Sequence, residues 1–254
     1  MYVEDGKWYL KCADPKDPRC IRSMEELEDY INETGFLPFF SNEIEGFSAE
    51  EWTDPRYWWT ENVKKDPWAW REMIARRGKI AYGKFFDKKA GFISLEWLPY
   101  FVNARRGGYD FDARWEDGLA ERREKLIMDV YLSEGPDGET EYSHERILAT
   151  ALKKKCGFGK EGSKNFPGIL TGLQMQTYLV ISDFEKRRNK KGEEFGMPVS
   201  ILLPPEAIWG REVVVSAYHE KPEESWQRIY DHVREMYGEA EEKDILTLIG
   251  KKPK

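Results

Sequence analysis

The stretch "LQMQTYLVISDFEKRRNKKGEEFG", residues 173–196, decides how the chain folds in its second half. Its first residues continue an apolar helical pattern, and the apolar residues that follow alternate with polar ones, which predicts a β-strand. Five of the six residues 186–191 are Lys or Arg, and Gly192 then permits the backbone of a tight turn. The stretch therefore predicts a strand over 177–187, a basic tip over 188–192 and a return strand over 193–205.

Three helices are predicted in front of this hairpin. Apolar residues recur at helical spacing within 112–135, and a second helix is predicted over 143–157, with Ser143 as its N-cap and Gly157 at its end. The third helix covers 166–176. Three helices followed by a β-hairpin is the element order of a winged helix-turn-helix. We therefore predict an α+β fold with a winged-helix module over 112–209.

Residues 1–111 are predicted to form an aromatic-rich α+β portion. "SMEELEDYINETG" and "DPWAWREMIARRG" read as helices capped by Ser23 and Asp66, and residues 79–94 read as two strands around a turn. "MYVEDGKWYLKC" (1–12) suggests a short edge hairpin with "DG" as its turn. A third portion, 210–254, is predicted to hold a strand at "REVVVSAY" (211–218) and a helical tail that begins with "PEESWQRIYDHVREMYG".

Composition excludes several classes of protein. The net charge of -7 over 254 residues argues against a protein that coats DNA, although it leaves room for a local basic face. No apolar run approaches the ~20 residues of a membrane helix, and the first ten residues lack the apolar region of a secretory signal. Three Cys and three His are scattered, so we expect no metal, no cofactor and free thiols in the cytoplasm.

The basic hairpin tip is the strongest candidate for a nucleic-acid contact. Each phosphate that it neutralises would release counterions, which makes such binding depend on salt. An ordinary solvated hairpin, whose charges prevent edge-to-edge aggregation, is the alternative, because four nearby acidic residues dilute the tip. Lysines 153–155 and 160 are expected on the same side. The residues predicted to contact duplex DNA are Lys186, Arg187, Arg188, Lys190, Lys191 and Lys164.

The third helix has few side chains that read base edges. Thr171, Gln174 and Gln176 are its polar candidates, and the helix contains neither Arg nor Asn. A sequence-specific repressor is therefore not favoured.

With its preceding helices, the quoted stretch resembles the AlkZ-like winged-helix DNA glycosylases, which remove alkylated purines and unhook crosslinks. The aromatic first portion resembles a bacterial family grouped with those enzymes, and the likeness extends over about 36–210. Gln174-Met175-Gln176 matches the signature of the enzymes, which is Gln, an apolar residue, then Gln or Asp. The resemblance implies that Gln174 and Gln176 are catalytic and position the water that attacks the sugar C1′. In the enzymes the signature lies near the chain start and several winged-helix modules follow, whereas only 78 residues follow Gln176 here.

Six aromatic residues fall within 52–70, and such rings either stack on bases or line a pocket. They also build cores, but Trp68 and Trp70 are two apart on a helix and cannot both face inward. We predict a pocket lined by Trp58, Trp59 and Trp70.

Three functional hypotheses follow from these patterns. The first is a DNA-associated relative of DNA glycosylases with weak or lost base excision, and the second is a binder of duplex DNA without chemistry. The third is a protein-interaction module that uses the winged helix as a partner surface. A pocket around both glutamines would favour catalysis, a continuous basic face would favour DNA binding, and an apolar surface on the third helix would favour a protein partner.

Overall fold

The computed structural model describes residues 2–4, 7–159 and 162–253. Within that part of the chain the protein is a mixture of α-helices and small antiparallel sheets. The helices are α1 (Met24–Thr34), α2 (Ala49–Trp52), α3 (Pro67–Arg77), α4 (Leu98–Arg106), α5 (Phe111–Glu116), α6 (Arg122–Met128), α7 (Ala149–Lys155), α8 (Phe166–Met175), α9 (Pro205–Trp209), α10 (Arg211–Val214), α11 (Pro222–Met236) and α12 (Glu242–Ile249). The strands are β1 (Tyr2–Glu4), β2 (Lys7–Tyr9), β3 (Phe36–Pro38), β4 (Ile80–Phe86), β5 (Lys89–Ser94), β6 (Leu132–Glu134), β7 (Thr140–Tyr142), β8 (Val180–Arg188) and β9 (Glu194–Leu203).

Local signals in the first portion are confirmed. The side-chain oxygen of Ser23 accepts a hydrogen bond from the Glu26 amide at the start of α1, and Asp66 does the same for the Trp68 amide at the start of α3. Gly78 ends α3 in the left-handed conformation. β1 and β2 pair as the predicted short hairpin, and its turn, 5–6, lies outside the described residues.

A three-stranded sheet with the order β3-β5-β4 supports the first portion. The strands are antiparallel, and their inward side chains pack with helices on an aromatic cluster in which Phe36 stacks edge-on against Phe101 at 4.8 Å. The pairing of β4 with β5 shifts register between Gly83 and Phe86. Such a bulge leaves backbone groups of β4 without a ladder partner.

The third predicted helix and the hairpin are confirmed, but the first two helices are shorter than predicted. The segment 112–135 is not one helix, because Gly118 adopts a positive φ of 70° between α5 and α6, and 132–134 pair with 140–142 as strands. α7 begins at Ala149 and not after Ser143, since Leu148 instead makes a β-bridge to Ile201 of β9. The winged-helix arrangement of these elements stays a prediction.

The strand predicted at 211–218 is wrong. The three consecutive valines of that segment favour a strand by their intrinsic propensity. The buried residues, however, are Val214 and Ala217, and a spacing of three residues is typical of a helix. The segment forms α10 and a 3₁₀ turn, Ser216–His219, that pack against α4. Tertiary packing has overridden the local propensity here.

One hydrophobic cluster extends from Ile21 to Ile249 and crosses the boundaries predicted at 111/112 and 209/210. His232 of α11, in the third predicted portion, lies over Trp97 of the first portion with 4.2 Å between ring centres, and its Nε2 contacts the Thr34 carbonyl oxygen. The division into three domains therefore stays a prediction. The hydrophobic core of the described residues is continuous across both predicted boundaries. No helix among the described residues is long and apolar enough to cross a membrane.

Candidate nucleic-acid interface

The hairpin formed by β8 and β9 holds its tip with local hydrogen bonds. The strands pair from Val180↔Leu203 to Arg188↔Glu194. At the turn, the side-chain Oδ1 of Asn189 accepts hydrogen bonds from the amides of Lys191 at 2.8 Å and Glu193 at 3.1 Å. Gly192 has φ 83°, as the turn requires. The basic residues of the tip are therefore carried on an ordered turn.

The root of the hairpin is anchored by two arginines from separate parts of the chain. Asp183 accepts hydrogen bonds from Arg76 of α3 at 2.8 Å and from Arg146 at 2.6 Å. Arg146 also donates to Glu185 at 2.7 Å. Burial alone would raise the pKa of Asp183, but the hydrogen bonds from Arg146, the Phe184 amide and Arg76 outweigh it and lower the pKa below its ordinary value.

This anchoring changes the charge balance of the tip. Asp183 and Glu185 were expected to dilute the basic residues, but their charges are compensated by the two arginines at the root. Among the described residues, no carboxylate lies within ion-pair distance of Lys186, Lys190 or Lys191. These three ammonium groups remain free to meet an anion.

The two arginines of the tip have partners within the hairpin. Arg188 pairs with Glu194 across the strands at 3.5 Å, and the Arg187 guanidinium lies 4.9 Å from the centre of the Phe195 ring. Phe195 and Met197 are 45% and 70% exposed, so the hairpin presents apolar surface beside its cations. Cations and exposed apolar side chains on one projecting element suit the grooves of a nucleic acid.

Lys164 lies apart from the hairpin. It lines a cavity between α7 and α8 together with Lys153 and Lys154, so part of the predicted lysine set comes together there. Lys155 points elsewhere and pairs with Glu145 at 2.7 Å. Lys160 lies outside the described residues.

Gln174 has both ends of its side-chain amide occupied. The residue is 3% exposed, its Oε1 accepts a hydrogen bond from the Lys84 amide at 3.1 Å, and its Nε2 donates to the Leu170 carbonyl oxygen at 3.1 Å. Lys84 lies in the irregular part of β4, so the glutamine satisfies an amide that β5 does not. Met175 makes a similar link, since its sulfur accepts from the Lys88 amide at 3.2 Å.

Gln176 faces a different part of the protein. It is half-buried at the C-terminal end of α8, and its Nε2 donates to Oε1 of the buried Glu124 on α6 at 2.8 Å. Its Oε1 is shielded from solvent and has no hydrogen-bond partner among the described residues. The following residue, Thr177, has φ 63°, which is strained for a β-branched side chain. The two glutamines of the signature thus point to separate surroundings.

The structure places two of the three tryptophans of the predicted pocket in the core and the third at the surface. Trp58 and Trp70 are core residues, 5% and 1% exposed, whose indole nitrogens donate to Thr53 and to the Lys64 carbonyl oxygen. Trp59 is 52% exposed and has a positive φ of 58°. The rings of Trp58 and Trp59 meet edge to face at 5.5 Å. Of the three, the structure leaves Trp59 with a ring largely available to solvent.

Five surface cavities, of about 300 to 660 Å³, stand out in the described part of the chain. Neither signature glutamine lines any of them. The described residues contain no group of three His, Cys, Asp or Glu side chains that could hold a metal ion, and Cys12, Cys20 and Cys156 are free thiols.

Sequence reasoning missed a buried polar group next to the signature. Arg106 of α4 forms an ion pair with Glu206 of α9 and donates to the Thr177 carbonyl oxygen at 2.8 Å. These residues are far apart in the chain and share no motif, so no local signal identifies them. Arg76 and Arg146 were missed for the same reason, since each meets Asp183 through tertiary packing alone.

The fold and the hairpin define an α+β protein with a projecting basic element. A family described as AlkZ related matches residues 21–250, which is most of the chain. The chain belongs to this AlkZ-related family, and the resemblance suggested by the sequence is thereby confirmed. No curated protein and no solved structure gives a significant match to the chain.

Proposed function

We propose that the protein acts on or beside DNA in DNA repair, as a relative of the AlkZ-type glycosylases, and that it contacts duplex DNA with the tip of its hairpin. The observation that carries this proposal is the set of three lysines at 186, 190 and 191, which have no acidic partner while the acids at the root are compensated by arginines. An unpaired cluster of cations on a projecting turn is the electrostatic footprint of a phosphate contact.

The element order supports a winged helix as the frame of this contact. α6, α7 and α8 precede the hairpin, α6 packs against α8, and α7 packs against β9. In this proposal the hairpin is the wing. The few polar side chains of α8 favour binding that does not depend on base sequence.

We further propose that base excision is weak or lost in this protein. A catalytic amide must be free to hold water or sugar, but the amide of Gln174 is occupied by the Lys84 amide and the Leu170 carbonyl oxygen. Gln176 keeps one shielded oxygen without a partner, and its Nε2 is held by Glu124. The native protein should release little or no base from alkylated duplex DNA. A measurable release that is absent from Gln176→Leu, when that variant is as stable as the native protein, would contradict this proposal.

The DNA proposal is tested with a variant that keeps the hairpin intact. Lys186→Gln, Lys190→Gln and Lys191→Gln together remove three charges and no ion pair of the described chain. A matched control removes three exposed lysines elsewhere, Lys16→Gln, Lys79→Gln and Lys251→Gln. Binding to a labelled duplex is measured by fluorescence anisotropy over a series of salt concentrations.

Each phosphate contact contributes about 0.9 to the slope of log affinity against log salt, so the hairpin variant should lose up to about 2.7 of that slope. The control variant should keep nearly the native slope of log affinity against log salt, because it changes only the net charge of the protein. The proposed contact is refuted if the two variants lose the same salt dependence of binding, or if the native protein does not bind the duplex at low salt.

A protein partner on the winged helix has less support. Among the described residues, α8 exposes no large apolar side chain, and the exposed apolar residues of this half include Phe195 and Met197 on the hairpin. A partner would therefore meet the hairpin before it met α8.

A further inference from the structure

A cavity of about 660 Å³ opens between α7 and the start of α8, away from the signature glutamines. Its floor contains Phe158 and Phe166, whose rings meet edge to face at 5.2 Å, and Pro167 completes the apolar part. The polar rim comes from both helices and the loop between them: Thr150, Lys153, Lys154, Ser163, Lys164 and Asn165.

The described lining residues of this cavity carry charge of one sign. Lys153, Lys154 and Lys164 are exposed, and no Asp or Glu is among the lining residues that the structure describes. Within the described chain, none of the three forms an ion pair, whereas the neighbouring Lys155 is neutralised by Glu145. Three unpaired ammonium groups around one concave surface repel each other, and an anion between them relieves that repulsion.

The start of α8 borders the same cavity, where Asn165, Phe166 and Pro167 are lining residues, although Pro167 has no amide hydrogen to donate. α8 has ten residues, and the side chain of its N-cap, Asn165, makes no capping hydrogen bond. The N-terminal amides of a helix need acceptors from outside the helix, and the helix dipole favours negative charge there. The lysines and the start of α8 therefore both favour an anionic ligand.

We propose that this cavity binds one phosphorylated nucleotide unit of a nucleic acid, with the phosphate among Lys153, Lys154 and Lys164 and the sugar or base over Phe158 and Phe166. The volume is larger than a phosphate needs and lies in the range of small-molecule sites, about 300–1,000 Å³. The apolar floor gives the non-phosphate part of a nucleotide a surface to cover. This site rests on the proposed function in its choice of ligand, and none of its lining residues belongs to the hairpin.

The test uses a 5′-phosphorylated thymidine dinucleotide and the full chain, with inorganic phosphate titrated separately, by isothermal titration calorimetry at low salt. Lys153→Gln, Lys154→Gln and Lys164→Gln are combined in one variant, since glutamine preserves helix propensity. The hairpin variant and the three-lysine control described above complete the set, and all three remove the same charge.

We expect the cavity variant to bind the dinucleotide about tenfold more weakly or worse, which corresponds to about 1.4 kcal/mol over three contacts. The hairpin variant and the control should stay close to native. This outcome holds whether or not the hairpin contacts duplex DNA, so the two proposals fail separately. Undetectable binding by the native protein, an equal loss in the control, or inorganic phosphate binding as tightly as the dinucleotide would each overturn the nucleotide site.

Discussion

Replacing Gln174 by leucine tests whether this glutamine has a structural role or a catalytic one. Leucine is similar in size and apolar, so it keeps water away from the Lys84 amide that Gln174 now satisfies at 3.1 Å. The variant loses both hydrogen bonds of the Gln174 side chain and leaves the Lys84 amide without its partner, which costs about 1–3 kcal/mol. We take about 2 kcal/mol as the expected fall in the free energy of unfolding.

A loss of that size is easily measured. For a chain of this length, 1 kcal/mol shifts the melting temperature by roughly 2–4 °C, so Gln174→Leu should melt about 4–8 °C lower. Urea unfolding followed by tryptophan fluorescence gives the same free energy independently. Gln174→Glu is a matched second variant, because its carboxylate still accepts the Lys84 amide but cannot donate to the Leu170 carbonyl oxygen unless protonated.

The opposite pattern would refute the reasoning. If Gln174→Leu unfolds with the native free energy, and at the same time removes a measurable release of alkylated base, then the hydrogen bonds of Gln174 are incidental and the residue is catalytic. If stability falls while binding to duplex DNA at low temperature is native, the glutamine is structural, as its contacts indicate.

Three further variants have outcomes that follow from the structure. Asp183→Asn should lower stability at neutral pH, because the pKa of Asp183 is depressed in the fold and its charged form is the stabilising one. That difference from the native protein should narrow as the pH falls below about 4, in urea titrations over a series of pH values, and a constant difference would contradict the assigned ion pairs. Trp59→Gly should stay within about 1 kcal/mol of native stability, because glycine relieves the positive φ of an exposed residue. Trp70→Ala should cost about 3–5 kcal/mol in the same chemical denaturation assay, and similar losses in the two variants would show that Trp59 belongs to the core.

The sequence predicted elements whose ends carry their own chemical signals. Ser23, Asp66 and Gly78 act through neighbours in the chain, so α1 and α3 were predicted from their caps. The hairpin was predicted because alternation, basic residues and Gly192 agree on one turn. The strand predicted at 211–218 failed because packing against α4, which no local pattern records, decides how the three valines fold.

The candidate site likewise has parts that local sequence patterns predict and parts that they do not. The basic tip was visible as a run of residues, but the arginines that compensate Asp183 come from positions 76 and 146 and are invisible to local patterns. The predicted tryptophan pocket relied on residue type, and residue type does not tell a core indole such as Trp70 from an exposed one such as Trp59. The lysine cavity was only partly visible, because its two halves lie on different helices.

The double anchoring of Asp183 has a consequence for how this protein can vary. The hairpin is fixed at its root by α3 and by the segment before α7, and the residues from 189 to 193 bond with one another. Exposed turns of this kind accept insertions and exchanges without disturbing a core. The turn can therefore change in length and charge while its anchored root and the rest of the molecule keep their fold.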